Sequence, residues 1–326
     1  MILLTGATGY LGSQIARAMI ERKMNFRVYV REPRRLDFNP GAAACEIAIG
    51  DLNGPHSLKE AMRGVTHVIH TAALVKMWVR DRKDFARVNV EGLQNVLRAA
   101  EEAGVQRVVY TSSFIALGPS ANVNAGEGLR NAGPYSNEYE QTKARALEWL
   151  RAEGFRKYPV VAMFPGVIYG PGPQTEGNLM GGMIEQYLAG KFPGLLGDGN
   201  QRWSFSYNAD VVDAHLAALE RGRAGEEYVL GGDNRSLGDF FRALGDLTGV
   251  RRPVRHLPFV VGKVVGALEV LKASLTGRMP QLTPGVVEIF KHDWVYSGAK
   301  AISELGYRVT PLEEGLRKTL GDLVIE

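Results

Sequence analysis

Short β-branched apolar runs alternate along this chain with stretches in which apolar side chains recur every three or four residues. Ile2-Leu3-Leu4-Thr5 reads as a buried strand, and the helix after it places Leu11, Ile15 and Met19 on one face. Residues 26–30, 46–49, 67–70 and 107–111 read as the next four strands. Leu93, Val96, Leu97 and Ala100 stand at helical spacing between the last two. The runs 159–164 and 227–230 continue the pattern. Strand, helix, strand repeated in this way predicts right-handed crossovers and a parallel sheet covered on both faces.

Beyond Gly170 the pattern loosens. Residues 170–203 are rich in glycine and proline and read as loops around one helix, Met183 to Ala189. Asp210 opens a helix carrying Val212, Leu216 and Leu219 on one face, and Trp203, Phe205 and Tyr207 alternate as a strand face or a pocket wall. From Ser236 the tail is mainly helical, with breaks at Pro253, Pro258, Pro280 and Pro284. The expected fold is α/β: a Rossmann, doubly wound parallel sheet with a smaller, mainly helical C-terminal substrate domain. Residues 1–169 form the dinucleotide-binding domain, with 205–232 returning to it. Residues 170–204 and 233–326 form the substrate lobe.

Composition narrows the function. Of 326 residues, 45% are hydrophobic and 23% charged, as in ordinary globular chains, and the net charge of +4 comes without a basic run interleaved with aromatics. Nucleic acid is therefore not the expected partner. The single cysteine, Cys45, permits no internal disulfide and reads as inert packing, which suits a reducing compartment. The six histidines lack metal-ligand spacing, so no metal is expected. No charged-then-apolar leader precedes the glycine loop, and the most apolar later stretch, Leu257 to Leu271, is too short and too charged to span a bilayer. The expected location is cytoplasmic.

Two motifs carry chemistry. Gly6, Gly9 and Gly12 lie at a strand-to-helix turn, where glycine allows a tight turn and the helix N-terminus can face a pyrophosphate. At the end of the second strand stands Arg31, with Arg34 and Arg35 behind it, where NAD enzymes commonly place an acid. A guanidinium favours the 2′-phosphate of NADP, so NADP is favoured and NAD remains possible through the adjacent Glu32. Asp51 and Leu52 follow the third strand, where the adenine would lie.

Tyr139 and Lys143 stand four apart, on one helix face, one crossover after Thr111-Ser112-Ser113. A nearby ammonium lowers a phenol toward a usable base, and Ser113 can hold the substrate oxygen. Asn89 could hydrogen-bond near the nicotinamide or simply be solvated. Met77 and Trp78 could line a substrate pocket or cap the core.

These motifs resemble the extended short-chain dehydrogenases/reductases, in the branch of dihydroflavonol-reductase-like, 3β-hydroxysteroid-dehydrogenase-like and farnesol-dehydrogenase-like enzymes. The resemblance runs over nearly the whole chain, through residues 5–12, 50–52, 70–73, 88–92, 110–113, 164–172 and 304–307. It implies Ser113, Tyr139 and Lys143 as catalytic. It implies cofactor contacts from Gly6, Thr8, Gly9, Tyr10, Leu11, Gly12, Arg31, Asp51 and Leu52, then from Thr71, Ala72, Ala73, Asn89 and Thr111, and finally from Tyr139, Lys143, Pro165, Gly166 and Val167. Met77, Trp78, Phe114 and Trp203 are the candidate substrate contacts.

The expected activity is interconversion of a hydrophobic alcohol and its ketone or aldehyde with NAD(P). The substrate is a small, lipophilic molecule, and the family suggests a homodimer. Sugar-nucleotide dehydration is disfavoured, because Phe114-Ile115-Ala116 stands where an acidic pair would be needed. A nucleotide-sugar epimerase with tightly bound NAD is the alternative, with Lys191, Arg202 and Arg278 as its candidate diphosphate groups. A cofactor-binding scaffold without chemistry is a third reading, weakened because both Tyr139 and Lys143 are kept.

Overall fold

Strands buried on both faces read as unbroken apolar runs, and the central strands here are of that kind. The computed structural model describes residues 1–42, 45–121, 124–250 and 255–323. Its strands are β1 (Ile2–Thr5), β2 (Phe26–Val30), β3 (Cys45–Ile49), β4 (His67–His70), β5 (Arg107–Thr111) and β6 (Val160–Pro165), then β7 (Val167–Tyr169), β8 (Leu195–Leu196), β9 (Arg202–Tyr207), β10 (Glu227–Leu230), β11 (Asp233–Ser236) and β12 (His256–Leu257). All six side chains of β6 are buried.

Seven strands form one parallel sheet in the order β10-β6-β5-β4-β1-β2-β3. The chain runs outward from β1 through β2 to β3, then returns to β4 on the other side of β1. That reversal opens a crevice at the carboxyl ends of β1 and β4, the usual place for a ligand in such sheets. Successive residues of each strand point to opposite faces, so Leu3, Val68 and Val108 enter one apolar layer while Leu4, Ile69 and Val109 enter the other. The helix Tyr10–Glu21 covers the second layer with Ile15 and Met19, beside the helix Asn208–Arg221. The doubly wound sheet expected from the periodicity is therefore present, each of its predicted strands within a residue of its observed bounds.

The second half departs in detail from its expectation. The aromatic strip is β9, which lies between β7 and β11 in a separate three-stranded sheet. Every residue from Trp203 to Tyr207 is buried, the two serines included, so the alternation marks no solvent face. The stretch 170–203 contains β8 as well as the helix Leu179–Leu188, which begins four residues before its expected start. A two-residue strand is too short to carry a readable period. Pro253 lies outside the described residues. The Cys45 thiol is part-buried and held protonated, its pKa raised by burial to about 11, consistent with inert packing.

One ion pair ties the sheet edge to its surroundings. Arg151 donates to both carboxylate oxygens of Glu227 at 2.6 Å and to the Glu127 carbonyl at 2.8 Å, with both charged side chains largely buried. Removing one member leaves the other as an uncompensated buried charge. Arg151→Ala is expected to lower unfolding free energy by about 3 kcal/mol, read from the urea midpoint. The double variant Arg151→Leu/Glu227→Leu should lose less than the sum of the two single losses.

Candidate functional site

The crevice at the sheet's carboxyl edge deepens into a cavity of about 520 Å³. Its floor is the turn between β1 and the helix Tyr10–Glu21. Gly6 has φ +80°, and a Cβ there would lie 2.5 Å from Thr71 Oγ1, on the loop after β4. A Cβ on Gly12 would overlap the Gly6 carbonyl oxygen. Helix and sheet thus meet at a distance only glycine permits. The first intrahelical bond runs from Ser13 N–H to the Gly9 carbonyl, and neither a side-chain cap nor an acid serves the first turn. The amides of residues 10–12 therefore remain as orphan donors at the positive end of the helix dipole. That chemistry fits the pyrophosphate of a dinucleotide.

Thr8, Gly9, Tyr10 and Leu11 line the cavity with these glycines, as do Asp51, Leu52, Thr71, Ala72, Ala73, Pro165, Gly166 and Val167. The Tyr10 hydroxyl is already committed, donating to the Gly170 carbonyl at 2.9 Å. Arg31 and Arg35 both stand on the wall, Arg31 at 3.9 Å from Asp51. Glu32 pairs instead with Arg34 at 2.9 Å and Arg35 at 3.9 Å, and it is not part of the wall. Its carboxyl is held below the usual range by the Arg34 hydrogen bond.

At the other end of the cavity stand Ser113, Tyr139 and Lys143. Ser113 closes β5 in extended conformation and its Oγ accepts from the Ile115 amide at 3.4 Å, starting a single tight turn over Phe114–Ala116. Tyr139 and Lys143 come from the helix Glu138–Trp149, whose start Asn137 caps by accepting from the Glu140 amide at 2.8 Å. Asn131 and the Ser136 amide both donate to the buried Glu140 carboxylate, which fastens the preceding loop to that helix.

Lys143 Nζ points at β5. It donates to the Thr111 carbonyl at 3.2 Å and the Tyr110 hydroxyl at 3.4 Å, with the Tyr110 ring centroid at 5.2 Å. Burial lowers its pKa from 10.5 to about 7. Tyr139 is pushed the other way, up to about 12 by burial, and a hydrogen bond with Ser113 draws it back only in part. The expected lowering of Tyr139 by a neighbouring ammonium is thus outweighed by burial. The lysine is directed at β5 groups, and low polarity disfavours both charged forms. His70, stacked on Tyr110 and bonded through Nδ1 to Thr5 Oγ1 at 2.7 Å, is likewise kept neutral by burial and by the Lys143 charge, near a pKa of about 3.

Three residues expected at the site have different placements. The Asn89 side chain is buried outside the cavity wall, accepting from the Leu74 amide at 2.8 Å and donating to the Leu74 carbonyl and Thr142 Oγ1 at 3.1 Å each. It sits in a widened helical turn, Arg87–Glu91, and clamps the loop after β4 to the Tyr139 helix. Thr111 borders the cavity, but its hydroxyl meets His215 Nε2 at 2.8 Å. His215 Nδ1 faces the Val211 carbonyl, so the ring nitrogen toward Thr111 is the acceptor. Trp78 is half-buried and not on the wall, whereas Met77, Phe114 and Trp203 are. Val286, Ile289 and Phe290, from the far C-terminal part, complete the apolar end, with the Phe290 ring 4.6 Å from that of Trp203. No short-range pattern flagged them, because their apolar neighbours in sequence are ordinary helix positions.

A dinucleotide-shaped crevice at the switch point of a parallel sheet defines a Rossmann-fold protein with its ligand site at the first glycine turn. The family model described as NAD dependent epimerase/dehydratase family matches residues 2–231, and the chain belongs to that family, the extended short-chain dehydrogenases/reductases. Sterol demethylase protein B of Methylococcus capsulatus is 32% identical over 285 residues, covering 86% of this chain and 84% of that protein. A putative dihydroflavonol 4-reductase of Synechocystis is 28% identical over 324 residues, covering 96% and 91%. The crystal structure of gox2253 superposes with a TM-score of 0.82 at 33% identity, covering 100% of this chain and 98% of that one.

Lys143 makes stability depend on pH with a defined sign. Its folded pKa lies below the unfolded value, so burial of its charge weighs on the fold fully below pH 7 and fades as pH rises toward 10.5. Lys143→Met should therefore raise the unfolding free energy relative to the parent chain, by more at pH 6 than at pH 9. Parallel denaturant titrations at the two pH values check this; an equal difference at both would place the lysine's charge in solvent.

Proposed function

We propose that this protein is an NAD(P)-dependent oxidoreductase that interconverts a lipophilic alcohol and its ketone or aldehyde at Ser113, Tyr139 and Lys143. The observation that carries this reading is one cavity lined both by the glycine turn and by Ser113, Tyr139 and Lys143. Nicotinamide, when bound, supplies the hydride acceptor or donor. The chain's own groups handle the proton. Ser113 Oγ holds the substrate oxygen; in reduction the Tyr139 phenol gives its proton to that oxygen, in oxidation the Tyr139 phenolate takes the hydroxyl proton, and positive charge on Lys143 favours the phenolate. Asn89 acts as a positioning residue, since it fixes the Tyr139 helix against the loop that borders the cofactor space.

The character of the substrate follows from the walls around Ser113. Met77, Phe114, Leu179, Trp203, Val286 and Ile289 are apolar and converge there. Lys191, Arg202 and Arg278, the groups an epimerase would need for a sugar-nucleotide diphosphate, are all exposed and none lines the cavity. That favours a weakly polar alcohol over a nucleotide sugar. The likeness to proteins named for a sterol and for dihydroflavonol leans the same way.

NADP is the favoured cofactor, because Arg31 and Arg35 face the cavity while Glu32 is engaged by its neighbouring arginines. Tyr139→Phe is expected to lower turnover of a lipophilic secondary alcohol at least ~10²-fold, the usual scale of a general acid-base step, with NAD(P)H affinity unchanged by calorimetry. Full turnover in that variant would remove Tyr139 from the chemistry. Arg31→Ala should weaken NADPH binding by about tenfold or more, one lost charge-assisted pair, and leave NADH within twofold. Equal losses for both cofactors would show that Arg31 does not read the 2′-phosphate.

A further inference from the structure

The helix Phe259–Thr276 is built inside out. Its inward positions are the small Gly262, Gly266 and Ala273. A Cβ on Gly262 would come within 2.6 Å of Leu196, and one on Gly266 within 2.9 Å of the Pro284 nitrogen, so this face is pressed hard against the fold. The large aliphatic side chains point out instead. Val260 is 74% exposed, Leu268 61%, Leu271 59% and Leu275 81%, with Val261, Val264 and Val265 beside them. At the helical repeat of about 100° per residue, these seven positions cover an arc of about 140°, opposite the glycines. An ordinary surface helix has the reverse arrangement, and a continuous exposed apolar band marks a binding surface.

Charge around the band points to its occupant. Lys263 lies outside one edge of the band and Lys272 within it near the other edge, with Arg255 before the helix and Arg278 just after it, all exposed. Between residues 255 and 291 there are five basic side chains against two acidic ones. Both acids lie away from the centre of the band: Glu269 faces Lys272 at 3.8 Å, and Glu288 is shared by Lys263 at 2.8 Å and Lys291 at 3.1 Å. Apart from Lys272 near one edge, the exposed side chains of the band are valine and leucine. The band has none of the aromatic or arginine anchors that dominate protein–protein contacts. Aliphatic side chains flanked by long basic ones suit the boundary of an anionic bilayer, where the stems enter the acyl region and the charges reach the phosphates. No described helix is long and apolar enough to cross a membrane, so such a helix lies in the membrane plane.

We propose that the helix Phe259–Thr276 docks the protein on an anionic lipid surface. Its position gives that docking a use. The helix packs on Pro284–Ile289, and Val286 and Ile289 of that neighbour form part of the cavity's apolar wall. The docking helix and the wall helix Pro284–Ile289 thus form the layer between the lipid-facing band and the cavity. Delivery of a lipid-dissolved alcohol to that space rests on the oxidoreductase reading; the docking itself does not.

Flotation of the full chain with vesicles tests docking without any turnover. The chain should float with vesicles of phosphatidylglycerol and phosphatidylcholine in equal parts, and less well with phosphatidylcholine alone or in high salt. Val264→Glu/Leu268→Glu/Leu271→Glu should reduce the floated fraction at least about tenfold while leaving the thermal midpoint within a few degrees. Leu275→Glu, at the most exposed position, should act in the same direction and cannot disturb the core. Lys272→Gln/Arg278→Gln should weaken only the binding to anionic vesicles. Absence of flotation by the parent chain, or undiminished flotation of the triple variant, overturns the proposal. So does a dimer by light scattering that the triple variant dissociates while the parent chain ignores vesicles, since the band would then be an interface between copies. Should the docked protein oxidise no lipophilic alcohol, the oxidoreductase reading fails and the flotation result stands.

Discussion

The site depends on one close approach: the first helix meets β1 and the loop after β4 with no side chain between them. Gly6 and Gly12 make that contact possible, because a Cβ at either would collide with backbone or with Thr71. The consequence is electrostatic. The first helix amides, which have no intrahelical partner, face the crevice, with no acid in the first turn to neutralise them. Thr5 then couples this turn to β4 a second time, since its hydroxyl meets His70 Nδ1 and also accepts from the Ala72 amide at 3.3 Å. The floor of the crevice is therefore fixed by backbone geometry and by two buried polar contacts, before any ligand contributes.

Burial sets the state of the opposite end. Tyr139 is displaced upward and Lys143 downward, so the low polarity that strengthens any charge interaction there favours the neutral form of both groups. Among the described residues, Lys143 donates to the Thr111 carbonyl at 3.2 Å and the Tyr110 hydroxyl at 3.4 Å. Each is a dipole and neither is a carboxylate. A site built in this way responds strongly to the arrival of charge, because no fixed counter-ion has already compensated it. Asn89 and Glu140 contribute indirectly: one holds the tyrosine helix to the cofactor loop, and the other holds that helix to the loop before it.

Much of this was legible in the sequence, for physical reasons that also mark where legibility stopped. The sheet strands could be read because burial on both faces favours apolar residues, as in 108–110 and 160–165. The glycine turn could be read because no other residue tolerates the contact. Ser113, Tyr139 and Lys143 could be placed because strand end and helix face are set by local periodicity, and all three line the cavity. Val286, Ile289 and Phe290 could not, because they reach the site through the packing of a distant helix. The role of Asn89 was hidden for a related reason: its partners, Leu74 and Thr142, lie 15 and 53 residues away. Trp78 illustrates the opposite error, a conspicuous aromatic one position past a true wall residue, Met77.

The same logic separates the two apolar surfaces of the C-terminal part. Trp203, Phe290 and Phe114 are aromatic, and the first two pack ring against ring while Phe114 stands edge-on to Trp294 at 5.2 Å, a rigid arrangement that holds a shaped space open. The outward band of the helix Phe259–Thr276 is aliphatic, convex and without rings. Rigid concave walls select a molecule by shape, whereas a flexible aliphatic ridge flanked by basic side chains suits partition into a fluid apolar phase. The glycines beneath that ridge press its helix against Val287 and Pro284, so the wall helix Pro284–Ile289 stands between it and the cavity. Under the docking proposal, those two helices lie between lipid and cavity, and small residues at Gly262 and Gly266 hold them in contact.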